Sequence, residues 1–190
     1  ADTWRLLTPV SAGEVLLASQ VQREAVENPQ QALFHGPWPR DGERLVAVKP
    51  LHEGEWLTAP AVRRERLVLE ASAPLAAGLR LPHEQLAARW KPVLGLPGDT
   101  LAPEALPDFV ALARPLRAGA VLRQSDLKSA ILVPKGSTVT VQIRRGEFVL
   151  DAELIAEEDG ALGERISVHN PESGRRLSAV VSGPGQAVHD

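Results

Sequence analysis

The side chains that most often carry chemistry are few in this sequence, and their spacing does not favour catalysis. The five histidines lie far apart, and no two of them are four residues apart, as the ligands of a helical zinc site would be. Each is therefore interpreted as a surface or hydrogen-bonded side chain, and we expect no metal site. The positions concerned are His35, His52, His83, His169 and His189.

Nucleophiles and phosphate-binding loops are missing as well. The chain has no cysteine and no Gly-x-Ser-x-Gly turn, so neither common sequence signature of an activated nucleophile is present. No glycine-rich segment has the Gly-x-x-x-x-Gly-Lys-Ser/Thr order that binds phosphates. Two groups of carboxylates, at 99–108 and 157–159, are interpreted as solubilising loop charges. The sequence therefore predicts a protein that is not an enzyme.

Two arginine-rich segments and one tryptophan are the candidates for partner binding. Residues 63–66 read Arg-Arg-Glu-Arg, and Arg175-Arg176 follow a loop that begins at Asn170. Such arginines either keep other chains from pairing with a strand edge or recognise an acidic partner, and both interpretations stay open. Trp38 lies in a proline-flanked loop, where it is either a binding anchor or part of a core. The candidate partner-binding residues are Asn170, Ser173, Arg175, Arg176 and Trp38.

Composition limits the classes of function. With a formal net charge of −3 over 190 residues, the chain lacks the basic field that non-specific nucleic-acid binding needs. No apolar run approaches the ~20 residues of a membrane span. The start at Ala1 without methionine suits a mature protein whose secretory leader was removed, and a chain cleaved from a tag would look the same. Aromatic residues make up only 4%, which favours small β domains packed with Val, Leu, Ile and Ala.

The elements that position these residues are organised by a pattern that occurs four times. It reads Pro, an aliphatic residue, two variable residues, Gly, two variable residues and Leu, and the prolines are 41, 24 and 41 positions apart. The repeating object is therefore a pair of copies, repeated once at an offset of 65. The glycines are expected to supply positive φ angles in turns. The repeated positions are Pro9 and Gly13, Pro50 and Gly54, Pro74 and Gly78, and Pro115 and Gly119.

The repeat predicts a mostly β chain of tandem modules with short helices. Residues 1–65 form a first paired repeat and 66–134 a second, with proline- and glycine-rich connectors at 28–42 and 95–108. From residue 135 the pattern changes to strand alternation, with Val139, Val141 and Ile143 on one face. Residues 135–190 are therefore predicted to be an antiparallel β module packed with the second repeat.

Two stretches resemble a known family. The segments Gly119-Ala120-Val121-Leu122 and Val133-Pro134-Lys135-Gly136-Ser137-Thr138-Val139 are similar to a SAF domain, a module with the β-clip fold. The tail from Gly160 to Leu177 and Ala179-Val180-Val181 resembles the end of flagellar basal-body P-ring formation proteins, the FlgA-type chaperones. The resemblance covers about residues 69–188. It implies a periplasmic, non-enzymatic protein without cofactor that binds the P-ring subunit and helps the ring assemble around the rod.

Other functions are weighed beside that one. A SAF-type structural component of a pilus or secretion assembly is the first alternative, and genomic neighbours would distinguish it. A carbohydrate- or ice-binding module is the second, and the arginine-rich strands argue against it. The expected partner is the P-ring subunit, with no nucleic acid and no membrane span, while self-association stays open. The expected mode of binding is the addition of a client strand to an exposed β edge of the C-terminal module.

Overall fold

The computed structural model describes residues 2–25, 33–35, 37–78, 80–146 and 148–189. In these residues the chain forms β strands and single-turn 3₁₀ helices, which confirms the predicted fold class. The strands are β1 (Asp2–Leu6), β2 (Val21–Ala25), β3 (Glu43–Ala47), β4 (Val62–Ala71), β5 (Leu86–Pro92), β6 (Val110–Leu112), β7 (Leu127–Ser129), β8 (Ile131–Val133), β9 (Thr138–Arg145), β10 (Phe148–Ala156), β11 (Gly160–Ala161), β12 (Arg165–His169), β13 (Arg176–Gly183) and β14 (Gln186–His189). The 3₁₀ helices are Ala18–Gln20, Ala59–Ala61, His83–Gln85, Pro103–Ala105 and Gln124–Asp126.

The two copies within each pair contact one another through the backbone. Val10 and Leu51 exchange amide-to-carbonyl hydrogen bonds of 3.0 and 2.9 Å, and Leu75 and Leu116 exchange bonds of 2.8 and 2.9 Å. Each of these residues follows one of the four repeated prolines. The contact in the second pair is therefore the contact in the first pair shifted by 65 residues. The pattern read from the sequence is therefore a structural repeat.

The repeated glycines share one backbone setting. Their φ angles are +86°, +78°, +77° and +79° for Gly13, Gly54, Gly78 and Gly119. Each amide donates to a carbonyl near the end of a strand from the paired copy: that of Ala47, Leu6, Leu112 and Ala71, respectively. Three residues later comes a leucine that is at most 4% exposed in every copy. The turn thus aims the chain so that this leucine enters the core, and the left-handed conformation explains why glycine stands there.

Serine and threonine commonly cap the start of a helix, and Ser19, Thr58 and Ser125 lie at or near the start of three of the 3₁₀ turns. Thr58 does precede a 3₁₀ turn, but its side chain makes no capping hydrogen bond. Ser19 and Ser125 lie inside their turns instead. In the connectors, Pro103–Ala105 form a 3₁₀ turn, whereas residues 28–32 and Gly36 lie outside the described residues.

Residues from Thr138 onward form a closed barrel in the order β10-β12-β13-β14-β9. Val139 and Val141 point into its core, as the alternation predicted, and both are fully buried. Most neighbours are antiparallel, but closure requires β14 to run parallel to β9, with Gln186 opposite Thr140 and His189 opposite Ile143. Strand β14 was not predicted, because Gly183-Pro184-Gly185 before it is typical of the end of a strand.

Contacts divide the chain into two compact units. One contains residues 1–70, 86–106 and 121–123, and the other contains 71–85, 107–120 and 124–190. The barrel belongs entirely to the second unit. The division into 1–65, 66–134 and 135–190 drawn from the sequence stays a prediction.

Candidate functional site

Strand β10 has a neighbour on both sides only at its C-terminal end. It pairs with β9 from Phe148 to Ile155, but with β12 only at Ile155 and Ala156. Within the described residues, no strand covers the other side of residues 148–154. The barrel is therefore closed only through the C-terminal end of β10, and the β9–β10 hairpin extends beyond β12 with a free strand edge.

An apolar groove of about 670 Å³ lies at this edge. Its apolar walls are Ile143 of β9, Phe148 and Leu150 of β10, and Leu177 of β13. Phe148 is 81% exposed and Leu150 is 64% exposed, whereas Ile143 and Leu177 pack against the barrel core. The groove thus continues the hydrophobic interior of the barrel out to solvent. Large aromatic and aliphatic side chains held this way on a strand are typical of a protein-binding site.

The alternation of a β strand explains how the groove arises. Phe148, Leu150, Ala152 and Leu154 share one face of β10, and Leu154 at the inner end is only 2% exposed. Leu150 lies opposite Ile143 in the ladder. A face that begins in the core therefore ends in solvent, because the covering strand β12 stops short of it.

Arginines surround the apolar walls. Arg145, Arg175 and Arg176 line the groove, and all three are exposed. Arg176 Nε lies 2.8 Å from Glu157 Oε1, so its charge is already partnered. Among the described residues, neither Arg145 nor Arg175 has a carboxylate within ion-pair distance. Because a guanidinium stays charged at any physiological pH, the groove has a positive rim.

The loop before Arg175 is held by its own hydrogen bonds. Asn170 Oδ1 accepts the amide of Glu172 at 2.8 Å and that of Ser173 at 3.0 Å. The Asn170 amide donates to the Arg175 carbonyl at 2.9 Å, which closes the loop. Asn170 and Ser173 therefore fix where Arg175 lies, and a direct contact of either with a partner stays a prediction.

Trp38 belongs to the other compact unit. It is half-buried, packs against the N-terminal core, and its ring centroid is 5.1 Å from that of Trp4. Of the two alternatives that the sequence left open for Trp38, its contacts match core packing. Its role as a binding anchor stays a prediction, and it is not part of the groove.

The second arginine-rich segment is paired within the fold. Glu65 is 5% exposed and binds two guanidinium groups, with Oε2 2.7 Å from Arg44 Nη2 and Oε1 2.8 Å from Arg63 Nη2. Burial raises the pKa of Glu65, but the hydrogen bonds from Arg44 and Arg63 together lower it by more than burial raises it. The pKa of Glu65 is therefore below its usual value. Arg66 binds Glu43 at 2.8 Å. This cluster therefore offers a partner little unpaired charge.

The acidic turn at 157–159 supports local structure. Glu158 Oε1 accepts the amide of Ser167 at 2.7 Å, and Asp159 Oδ1 accepts the amide of Lys135 at 2.7 Å. Over the described ranges, no cluster of histidine and acidic side chains could hold a metal ion. In the same ranges, no helix has the length and apolar character to cross a membrane.

Sequence reasoning identified the basic part of this groove but missed its apolar part. Arg175 and Arg176 were named, while Phe148, Leu150 and Leu177 were not. A signal was present: the run Phe148-Val149-Leu150 breaks the apolar–polar alternation of the preceding strand, and Arg144-Arg145 lie only two residues before it. A strand end that is apolar on both faces and flanked by charge indicates an exposed sticky edge.

Residues 66–188 match the protein family described as chaperone for flagella basal body P-ring formation. A curated relative, the distal basal body ring component protein of Caulobacter vibrioides, is 31% identical over 123 residues. That match includes 64% of this chain but only 45% of the relative, so the chain spans less than half of the relative's length. A crystal structure of Salmonella FlgA in open form is 21% identical, with a TM-score of 0.54 over 78% of this chain and 71% of that one. At this identity the likeness concerns the fold alone.

Proposed function

Since the chain belongs to the family of chaperones for flagellar basal-body P-ring formation, we propose that it binds the P-ring subunit in the periplasm and assists its assembly around the rod. The family match covers 66–188, which includes all of the barrel and of the groove lining except His189. It favours the flagellar reading over the pilus, secretion and carbohydrate-binding alternatives, which no feature of the groove supports.

The observation that carries the proposal is the apolar groove with its arginine rim. A chaperone must cover hydrophobic surface of its client and release it when the client assembles. Burying a side chain such as Phe148 or Leu150 contributes about 1.5–3 kcal/mol, so two or three such contacts give a complex of moderate strength. Rim charges such as Arg145 and Arg175 add encounter rate and selectivity for a client with acidic residues at the contact.

A matched pair of charge reversals tests the proposal. Arg175→Glu places a negative charge on the rim, and Arg165→Glu makes the same change at an exposed position of β12, outside the groove. The purified P-ring subunit from the same bacterium is titrated into each variant at low and moderate salt. We expect Arg175→Glu to weaken binding at least about fivefold, with a smaller effect at higher salt, since charge interactions on a rim are screened.

The control should retain wild-type affinity, and both variants should melt within a degree or two of the wild type because both positions are exposed. Absence of binding by the wild-type chain would remove the proposed function. Equal binding by all three chains would remove the role of the rim and leave the chaperone proposal standing.

A further inference from the structure

We propose that the partner is held as an added β strand along the free edge of β10, with alternate side chains in the apolar groove. This inference rests on the proposed function, because it takes the occupant to be an extended segment of the P-ring subunit. It adds the mode of binding, the backbone groups that make the contact, and the chemistry of the segment.

Register and hydrogen bonds identify the backbone groups that face outward. The Ala156 amide donates to Ser137 on the β9 side, and Ile155 pairs with His169 of β12 on the other side. Because strand residues alternate in direction, the even-numbered residues from 148 to 156 bond β9, and Val149, Asp151 and Glu153 direct their amides and carbonyls to the open side. All three are exposed. These groups form a ready-made ladder for another strand.

The length of the edge limits the segment that fits. The open part of β10 runs from residue 148 to 154 and ends where β12 begins to pair at Ile155. At ~3.3 Å per residue this edge accommodates a strand of about six or seven residues. Every second side chain of that strand would lie on the face shared by Phe148 and Leu150, so the segment must be apolar at alternate positions.

The charges along the edge determine where acidic residues are favoured in the bound segment. The hairpin end of the edge has Arg145 and, across the groove, Arg175, neither with an acidic partner among the described residues. Farther along, Asp151 and Glu153 lie on the outer face of β10. A segment with a carboxylate at the hairpin end is therefore favoured, and one with acidic residues opposite Asp151 is disfavoured, since like charges across a ladder repel.

A second copy of this chain fits the edge less well. Full antiparallel overlap of residues 148–154 from two copies would place Asp151 directly opposite Asp151, a destabilising like-charge pair. The P-ring subunit is therefore the occupant to which the proposal commits.

Hydrogen exchange on the wild-type chain tests the inference without any substitution. The amides of Val149, Asp151 and Glu153 are compared with those of Leu150 and Ala152, which already bond β9. Addition of the purified P-ring subunit should slow exchange of the three outward amides at least about tenfold, with a smaller change at the two inward ones. Unchanged exchange at the outward amides in a saturated complex would overturn the inference. Protection of the same amides in the free chain as its concentration rises would assign the edge to self-association and would also overturn it.

A pair of substitutions at one position gives an independent test. Asp151→Pro removes the outward amide and leaves the β9 ladder bonds, because the residue faces the open side. Asp151→Ala removes the charge but keeps the amide. The proline variant should bind the subunit at least about tenfold more weakly, and the alanine variant within about twofold of wild type. Equal binding by the proline variant would refute strand addition.

Circular dichroism at the binding temperature verifies that each variant is folded, and if the proline variant is not, the exchange experiment alone decides. The results separate the two proposals. A wild-type chain that does not bind the subunit removes both, whereas binding without amide protection removes only strand addition.

Discussion

Truncation of Phe148 should weaken binding while leaving stability nearly intact. Phe148 is 81% exposed, so folding recovers only about a fifth of the ~1.5–3 kcal/mol that full burial of such a side chain contributes. The remaining ~1–2.5 kcal/mol is available to a partner that covers the groove. Phe148→Ala should therefore raise the dissociation constant for the P-ring subunit about 5- to 60-fold and cost less than about 1 kcal/mol of stability.

Two further truncations on the same face of β10 make the comparison internal. Leu150→Ala should behave like Phe148→Ala with a somewhat smaller loss of affinity, because Leu150 is 64% exposed. Leu154 is 2% exposed and packs in the barrel core, so Leu154→Ala should cost about 2–5 kcal/mol of stability. Along one face of β10, the expected role of the side chain thus changes from binding at Leu150 to folding at Leu154.

Titration calorimetry with the purified subunit measures the affinities, and urea unfolding followed by circular dichroism measures the stabilities. The reasoning would be refuted if Phe148→Ala bound like wild type. It would be refuted equally if Phe148→Ala lost as much stability as Leu154→Ala, since that would place Phe148 in the core.

Two predictions concern the fold. Gly119→Ala should lose about 1–2 kcal/mol in urea unfolding from its φ of +79° alone, since an added Cβ meets no atom within 4 Å, while Gly98→Ala, equally open and without a positive φ, should stay within about 0.5 kcal/mol of wild type. Equal effects of the two alanines would contradict the backbone argument. Glu65 has a lowered pKa in the fold, so its ion pairs stabilise the protein above the unfolded-state pKa of about 4.3, and this stability is lost as pH falls through the lower folded value. The stability difference between wild type and Glu65→Gln, measured by urea unfolding from pH 7 to pH 3, should therefore shrink at the acidic end, and a constant difference would argue against that cause.

The repeat was the part of the fold most accessible from sequence. A glycine with positive φ and a leucine three residues later are local requirements, and the constant offset of 65 showed which copies are equivalent. Strand β9 followed from the alternation of Val139, Val141 and Ile143 for the same reason. Local patterns specify which face of a strand is apolar and where a turn occurs.

The barrel closure and the groove were not accessible, because both depend on where a neighbouring strand ends. Strand β14 is four residues long, and its parallel pairing with β9 joins segments far apart in the chain. Alternation places Phe148 and Leu150 on the same face of β10 as the buried Leu154. It does not show that the pairing with β12 ends before it reaches them. Likewise, the proline-flanked position of Trp38 did not reveal the packing against Trp4.

The equivalence of the four turn copies has a consequence for how the chain reaches its native state. In the native fold the two copies of each pair are 41 residues apart in sequence. The second and third copies, which belong to different pairs, are only 24 residues apart. Loop-closure entropy alone favours pairing of the second and third copies by about 0.5 kcal/mol, since its cost grows as (3/2)RT times the logarithm of the loop length. Non-native pairing of the second and third copies should therefore compete with the native pairing during synthesis and refolding. Burial of the repeat leucines in the core then favours the native pairs.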